Sequence, residues 1–144
     1  ALNIRAYNHP LGESGITFFA VPDLAKELKA DFPACLDGQN MLMPSVGSNL
    51  RRSLEGWFDQ MDLNPIVVAE FEDRALMKAF GERGSGIFTT PTAVEDDVLE
   101  KYGVAVLGRT DEVRERYYVI SPERRIKHPA VTAITQAARS RLFV

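Results

Sequence analysis

Two histidines and one cysteine are all that this chain of 144 residues offers to transition-metal or thiol chemistry. His9 and His128 each precede a proline in a turn-like setting, and neither has a Ser, Cys or carboxylate at a catalytic spacing. Both are expected to be structural or exposed. Cys35 cannot form an internal disulfide, and its loop supplies neither a cation nor a helix start to activate a thiol. It suits a reducing cytoplasm. No His and Cys fall at metal-ligand spacing. An excess of basic charge is missing as well: the formal net charge is -3, which leaves no footprint for nucleic acid or an anionic membrane. The sequence holds no signal-peptide pattern and no apolar run near bilayer length. No nucleophile–base pair is visible, so no catalytic residue is assigned and an enzyme is not expected.

What is present reads as globular. Hydrophobic residues make up 45% and charged residues 26%, enough for one domain with a core and too apolar for disorder. The stretch that organises the rest is Ile66 to Pro91. An apolar β-branched run (Ile66–Phe71) meets an acidic pair (Glu72, Asp73) and a short amphipathic helix (Ala75–Phe80). A glycine-containing turn (Gly81, Gly84, Gly86) follows, then a second apolar run closing on Thr89, Thr90 and Pro91. Two such runs joined by a helix are expected to lie parallel in one sheet, with ligands beyond their carboxyl ends.

Along the chain, Leu2 to Tyr7 alternates as a half-buried strand. His9-Pro10 and Gly12 are expected to break it, and Glu13-Ser14-Gly15 to turn. Ile16–Val21 predicts a strand buried on both faces, and Pro22-Asp23 opens a helix through Leu28. Met41–Met43 predicts a short strand. Asn49–Met61 predicts the longest helix, with Leu50, Leu54, Trp57, Phe58 and Met61 on one face. Thr92-Ala93-Val94-Glu95 has capping-box spacing for a helix through Tyr102, with Gly103 as a left-handed cap. Val104–Leu107 predicts a strand, Gly108–Glu112 a turn, and Val113–Ile120 a further strand. His128-Pro129 opens a last helix with Val131, Ile134, Ala138 and Leu142 on one side. The alternation predicts an α/β fold with helices on both faces of the sheet.

The ligand candidates each have a plainer reading. Ser45 and Ser48 flank a strand-to-helix loop whose free N–H groups could hold an anion or polar ligand, although one of them should simply cap the helix. Asp73 is expected as a cap with Glu72 solvated; the alternative is a carboxylate pair facing a cleft and a hard cation. The glycines at 81, 84 and 86 follow a helix rather than a strand, so they read as a cap and tight turn, not a phosphate loop. The basic cluster Arg114, Arg116, Arg124, Arg125 and Lys127 is interleaved with Glu112, Glu115 and Glu123, as in a solvated face.

Ala75 to Pro91, the late aromatic strand, and the run from Ser121 to Val131 resemble the effector-binding domain of LysR-type transcriptional regulators, over essentially the whole chain. Phe32–Leu36, the Trp57-Phe58 helix, Glu70–Asp73, the run ALMKAFG (Ala75–Gly81) and His128–Val131 are more specifically similar to a sodium-responsive activator in that family. The resemblance implies a type II periplasmic-binding-protein-like lobe with a mixed, mostly parallel sheet, in an effector domain of two lobes. On that pattern residues 1–12 form a crossing strand from lobe I, 13–116 form lobe II, and 117–144 form the return crossing and C-terminal helix of lobe I. The chain is then a truncated two-lobe domain from a longer protein. The implied effector-facing residues are Ser45, Ser48, Phe71, Glu72, Asp73, Thr89 and Thr90. Sodium is the implied effector, with Glu72 and Asp73 as its ligands; no other cofactor is implied. The implied partners are further copies of the chain in a dimer or tetramer, DNA through an N-terminal winged helix-turn-helix, and RNA polymerase, in the cytoplasm and without a membrane. The alternative is a solute-binding protein of a transport system, which requires a signal peptide upstream.

Overall fold

A continuous apolar run lies buried on both faces only inside a sheet covered on both sides, and Ile16–Ala20 lies there. In the computed structural model, which describes residues 6–122, 125 and 129–142, this run is the inner end of β1 (Tyr7–Ala20). β1 is the middle strand of a three-stranded sheet, between β4 (Phe88–Pro91) and β5 (Ala105–Ser121). Its neighbours Phe18 and Phe19 point to opposite faces, as a strand requires. Phe18 joins a cluster with Leu36, Leu54 and Trp57, whereas Phe19 joins a second cluster with Met77, Phe88 and Val98.

A parallel pair, β2 (Asn40–Pro44) and β3 (Ile66–Phe71), forms the other ladder, with Met43 opposite Glu70 and Pro44 opposite Phe71. β4 runs antiparallel to β1, with Thr90 opposite Thr17. One parallel bridge between Met41 and Ile87 joins the two ladders; the Leu42 N–H donates to the Ile87 carbonyl at 2.7 Å. The runs expected to lie parallel in one sheet, β3 and β4, are therefore connected only through β2. Met41 and Met43 face the first cluster and Leu42 the second. Helices α1 (Pro22–Leu28) and α2 (Asn49–Gln60) bury Ala25, Leu50, Leu54, Trp57 and Phe58 on the first face; Met61, expected with them, lies past the last turn of α2 and is exposed. Helices α3 (Arg74–Glu82) and α4 (Glu95–Lys101) bury Met77 and Val98 on the second. Helices on both faces of a mixed sheet are what the sequence predicts. Each fully buried large side chain contributes roughly 1.5–3 kcal/mol relative to exposure.

β3 is the exception. Among the described residues it pairs with β2 alone, and Ile66, Val67 and Val68 remain 52%, 44% and 46% exposed. A β-branched edge strand of this kind presents unpaired backbone groups next to apolar side chains.

Four expected breaks, turns or caps are absent. β1 runs through His9-Pro10 and Gly12 without the predicted break and through Glu13–Gly15 without the predicted turn, and β5 runs through Gly108 without the predicted turn. An added Cβ at Gly15 would stand 2.7 Å from the Thr110 carbonyl oxygen, and one at Gly108 would overlap the Phe32 ring. Both glycines mark close approach inside a strand, the other common reason for glycine there. Gly103 is not left-handed; its N–H donates to Glu82 at 2.7 Å. The predicted cap at the end of α3 is present: Gly84 has φ +85°, and the Ser85 N–H returns to the Phe80 carbonyl. Gly81, inside α3, lies against the Phe88 ring so closely that a Cβ could not be added.

The chain divides into two compact units, Gly15–Arg114 and a smaller one formed by Ala1–Ser14 with Glu115–Val144. In the smaller unit, α5 (Pro129–Ala137) continues into a wider π-type turn (Ala138–Leu142), and Arg139 Nε donates to the Pro10 carbonyl at 3.0 Å. Ala138 is buried, but Ile134 and Leu142, expected on the same apolar side, are exposed. Arg116 pairs with Glu13 at 3.4 Å. The expected features at residues 2–5, 123, 124, 127 and 128 lie outside the described residues.

Candidate functional site at the strand ends

From β2 the chain leaves through α2 to β3 on one side, and from β3 it returns through α3 to β4 on the other side of β2. Connections that diverge in this way open a crevice beyond the carboxyl ends of the diverging strands. Among the described residues one parallel bridge, Met41 to Ile87, links β2 to the run that leads into β4, and no ladder continues beyond it. The loop Pro44–Ser48 follows the carboxyl end of β2, and Thr89-Thr90-Pro91 forms the buried carboxyl end of β4.

The loop is tightly determined. Ser48 Oγ accepts the Arg51 N–H at 3.2 Å and caps α2, as expected for one of the two serines. The Ser48 N–H donates to the Ser45 carbonyl, and the Ser45 N–H to the Phe71 carbonyl at 3.1 Å. Gly47 has φ +91°, a conformation that favours glycine. Ser45, Ser48 and Phe71 are thus brought together. Arg51 holds the loop from beneath. Its side chain is 11% exposed and donates to the Pro44 carbonyl at 2.9 Å while pairing with Glu55 and Glu70. Sequence reading missed Arg51, since an arginine on a polar helix face carries no signal of its own.

The acidic pair divides as its plainer reading has it. Asp73 Oδ1 accepts the N–H groups of Ala75 (2.9 Å) and Leu76 (3.2 Å) and caps α3, and Glu72 is exposed. Among the described residues no three His, Cys, Asp or Glu side chains cluster as metal ligands. The donors suit a hard cation in kind, because all are oxygens, but two exposed carboxylates leave most of its shell to water. Cys35 is buried, and desolvation raises its pKa, which opposes thiolate chemistry.

Thr89 and Thr90 are buried in the β1–β4 ladder, and the Thr90 hydroxyl donates to the Pro91 carbonyl at 3.2 Å. Just beyond them, the expected capping box is used differently. Thr92–Val94 forms a 3-10 turn with no side-chain cap. The fully buried Thr17 hydroxyl donates to Glu95 Oε1 at 3.0 Å and lies 3.0 Å from the Thr92 hydroxyl. With its one proton committed, Thr17 must accept from Thr92. Arg109 closes the network with two bonds to Glu95, Nε to Oε1 at 2.7 Å and Nη2 to Oε2 at 2.9 Å. That bidentate bond raises the Arg109 pKa further. Local spacing favoured the cap, whereas a strand 75 residues away supplied the partner. The available signal was Thr17 itself, the single polar residue in a buried apolar run.

A depression of about 180 Å³ lies at the opposite end of the sheet, where Val21, Leu24, Gln39 and Gly84 line it. It offers no titratable side chain and is not part of this site.

The LysR substrate binding domain profile matches residues 5–142. The chain is 39% identical to the transcriptional activator protein NhaR of Escherichia coli (strain K12) over 133 residues, which is 92% of this chain and 43% of that protein. It therefore spans less than half the length of this curated relative. Among solved structures, the effector domain of the regulator AmpR of Pseudomonas aeruginosa matches with a TM-score of 0.68 at 18% identity, over 99% of this chain and 67% of that one. The effector-binding domain of QuiR in complex with shikimate matches with a TM-score of 0.59, also at 18% identity, over 96% of this chain and 68% of that one. The chain belongs to the family of LysR substrate-binding domains.

Proposed function

We propose that this chain is the effector-sensing and oligomerisation part of an NhaR-like transcriptional activator that responds to sodium, and not an enzyme. The observation that carries the reading is the 39% identity to NhaR over 92% of the chain. The diverging connections from β2 and β3 support an effector at the strand ends, with Ser45, Ser48, Phe71, Glu72, Asp73, Thr89 and Thr90 as its candidate wall. DNA and RNA polymerase are partners of the whole protein, DNA through a separate N-terminal domain. The effector acts by shifting the population of two arrangements of the regulator.

Sodium is tested through the acidic pair. Asp73→Ala would mix two effects, because loss of the cap alone costs about 1 kcal/mol. Asp73→Asn keeps the cap and removes the charge. In the full-length regulator, Glu72→Gln and Asp73→Asn should each raise the sodium needed for half-activation roughly fivefold, equivalent to about 1 kcal/mol. DNA binding in potassium should not change. A reporter titration in which both variants follow the wild type removes the pair from the site.

A second reading of the effector has its own observation. The amino end of α2 places positive potential beside the Ser45–Ser48 loop, Arg51 being paired with Glu55 and Glu70, and that helix end favours a small organic acid. Calorimetry with sodium chloride and with shikimate, each against wild type, separates the two.

The exposed edge supports the oligomerisation role. Ile66, Val67 and Val68 offer an apolar, unpaired strand on which a second copy can close. Val68→Lys is expected to shift the full-length protein toward monomer by at least about tenfold in dissociation constant, about 1.4 kcal/mol, with unchanged far-UV circular dichroism. Sedimentation velocity reads the outcome.

A further inference from the structure

A chain of bonds runs from Thr92 through Thr17 to Glu95 and Arg109. It joins β1, β5 and the amino end of α4, and it begins one residue after β4 ends. Its members differ in exposure: Thr17 is fully buried, the Glu95 side chain is 13% exposed and the Arg109 side chain 56%. A buried hydroxyl that both accepts and donates fixes direction as well as distance, since removing it leaves two polar partners short of a bond. Thr90 is the ladder partner of Thr17, so the same β1 residue holds β4 through its backbone and the following turn through its side chain. α4 starts at Glu95 and carries Asp96 and Asp97 in its first turn, so the helix start would draw a carboxylate there in any case. What that preference does not require is a bond to a strand far away in sequence.

We propose that Thr17, Glu95 and Arg109 are positioning residues that fix the β4 wall of the effector site, setting the direction in which Thr90-Pro91-Thr92 leaves the sheet. This rests on the strand ends being the effector site. The network touches no ligand; it limits the arrangements the wall can adopt, and so the fraction of molecules ready to bind. Loss of one bond in the chain should lower that fraction roughly three- to tenfold.

Thr17→Val keeps the shape of the side chain and removes only the hydroxyl, and Thr17→Ser keeps the hydroxyl and removes a methyl. In the full-length protein, Thr17→Val is expected to raise half-activating sodium chloride roughly three- to tenfold against a potassium chloride control of equal ionic strength. Thr17→Ser should restore the wild-type value although it leaves a small cavity. Hydrogen exchange should rise about tenfold at residues 89–95 in Thr17→Val, and elsewhere remain as in wild type. If the wild type itself ignores sodium, the sodium reading fails and exchange alone decides this proposal. Equal exchange at residues 89–95 in wild type and Thr17→Val overturns it. So does a sodium response that Thr17→Val leaves unchanged, or one that falls equally in both variants in step with thermal stability.

Discussion

Phe18→Ala should lower the stability of the domain by about 4 kcal/mol, within the range for emptying a large buried aromatic site. Phe18 has no exposed surface, and its ring lies 5.3 Å from that of Phe32 and 5.6 Å from that of Trp57. Both are tilted contacts at separations where aromatic pairs add to simple burial. The site is poorly placed to collapse, because Phe18 lies on the central strand of its sheet, with β4 and β5 on either side. Chemical denaturation should show the midpoint falling with the slope unchanged, as for a loss of packing without a change of fold. A loss below about 1 kcal/mol would mean that the ring is not in the core.

Gly108→Ala carries the second large effect. The sequence reads Gly108 as a turn, where alanine costs little unless φ is positive. In the structure Gly108 is mid-strand, has ordinary φ, and lies beneath the Phe32 ring. Alanine must displace that ring, which is pinned between Gly108 and Phe18, so the expected cost is about 2–3 kcal/mol. In a Phe32→Ala background the same substitution should cost less than about 1 kcal/mol, because residues in contact are not additive. An equal cost in both backgrounds would place the strain elsewhere.

These glycines show where the sequence was legible and where it was not. The two-sided burial of Ile16–Ala20, the α2 face carrying Leu50, Leu54, Trp57 and Phe58, and the cap at Gly84 each follow from spacing within a dozen residues. Local chemistry is enough for them. Gly15 and Gly108 could not be read in this way. A glycine that opens a turn and one that makes room for a distant atom look alike in sequence, and Thr110 and Phe32 are both remote from them in the chain. The same reason explains the site. Ser48 and Asp73 are caps, a short-range relation; the sequence identified Asp73 as one and narrowed the other to Ser45 or Ser48. The bond from Glu95 to Thr17 is long-range, and the capping-box spacing concealed it.

Gly81 carries a consequence for how the family signature is understood. The run ALMKAFG ends on it, and the Phe88 ring leaves no room there for a Cβ. Positions 81 and 88 should therefore vary together among relatives: an alanine at 81 calls for a smaller side chain at 88, and a phenylalanine at 88 calls for glycine. A mismatch in that pair would mark a relative whose α3 stands farther from β4. Such a relative could keep every serine, threonine and carboxylate of the candidate wall and still bind a different effector.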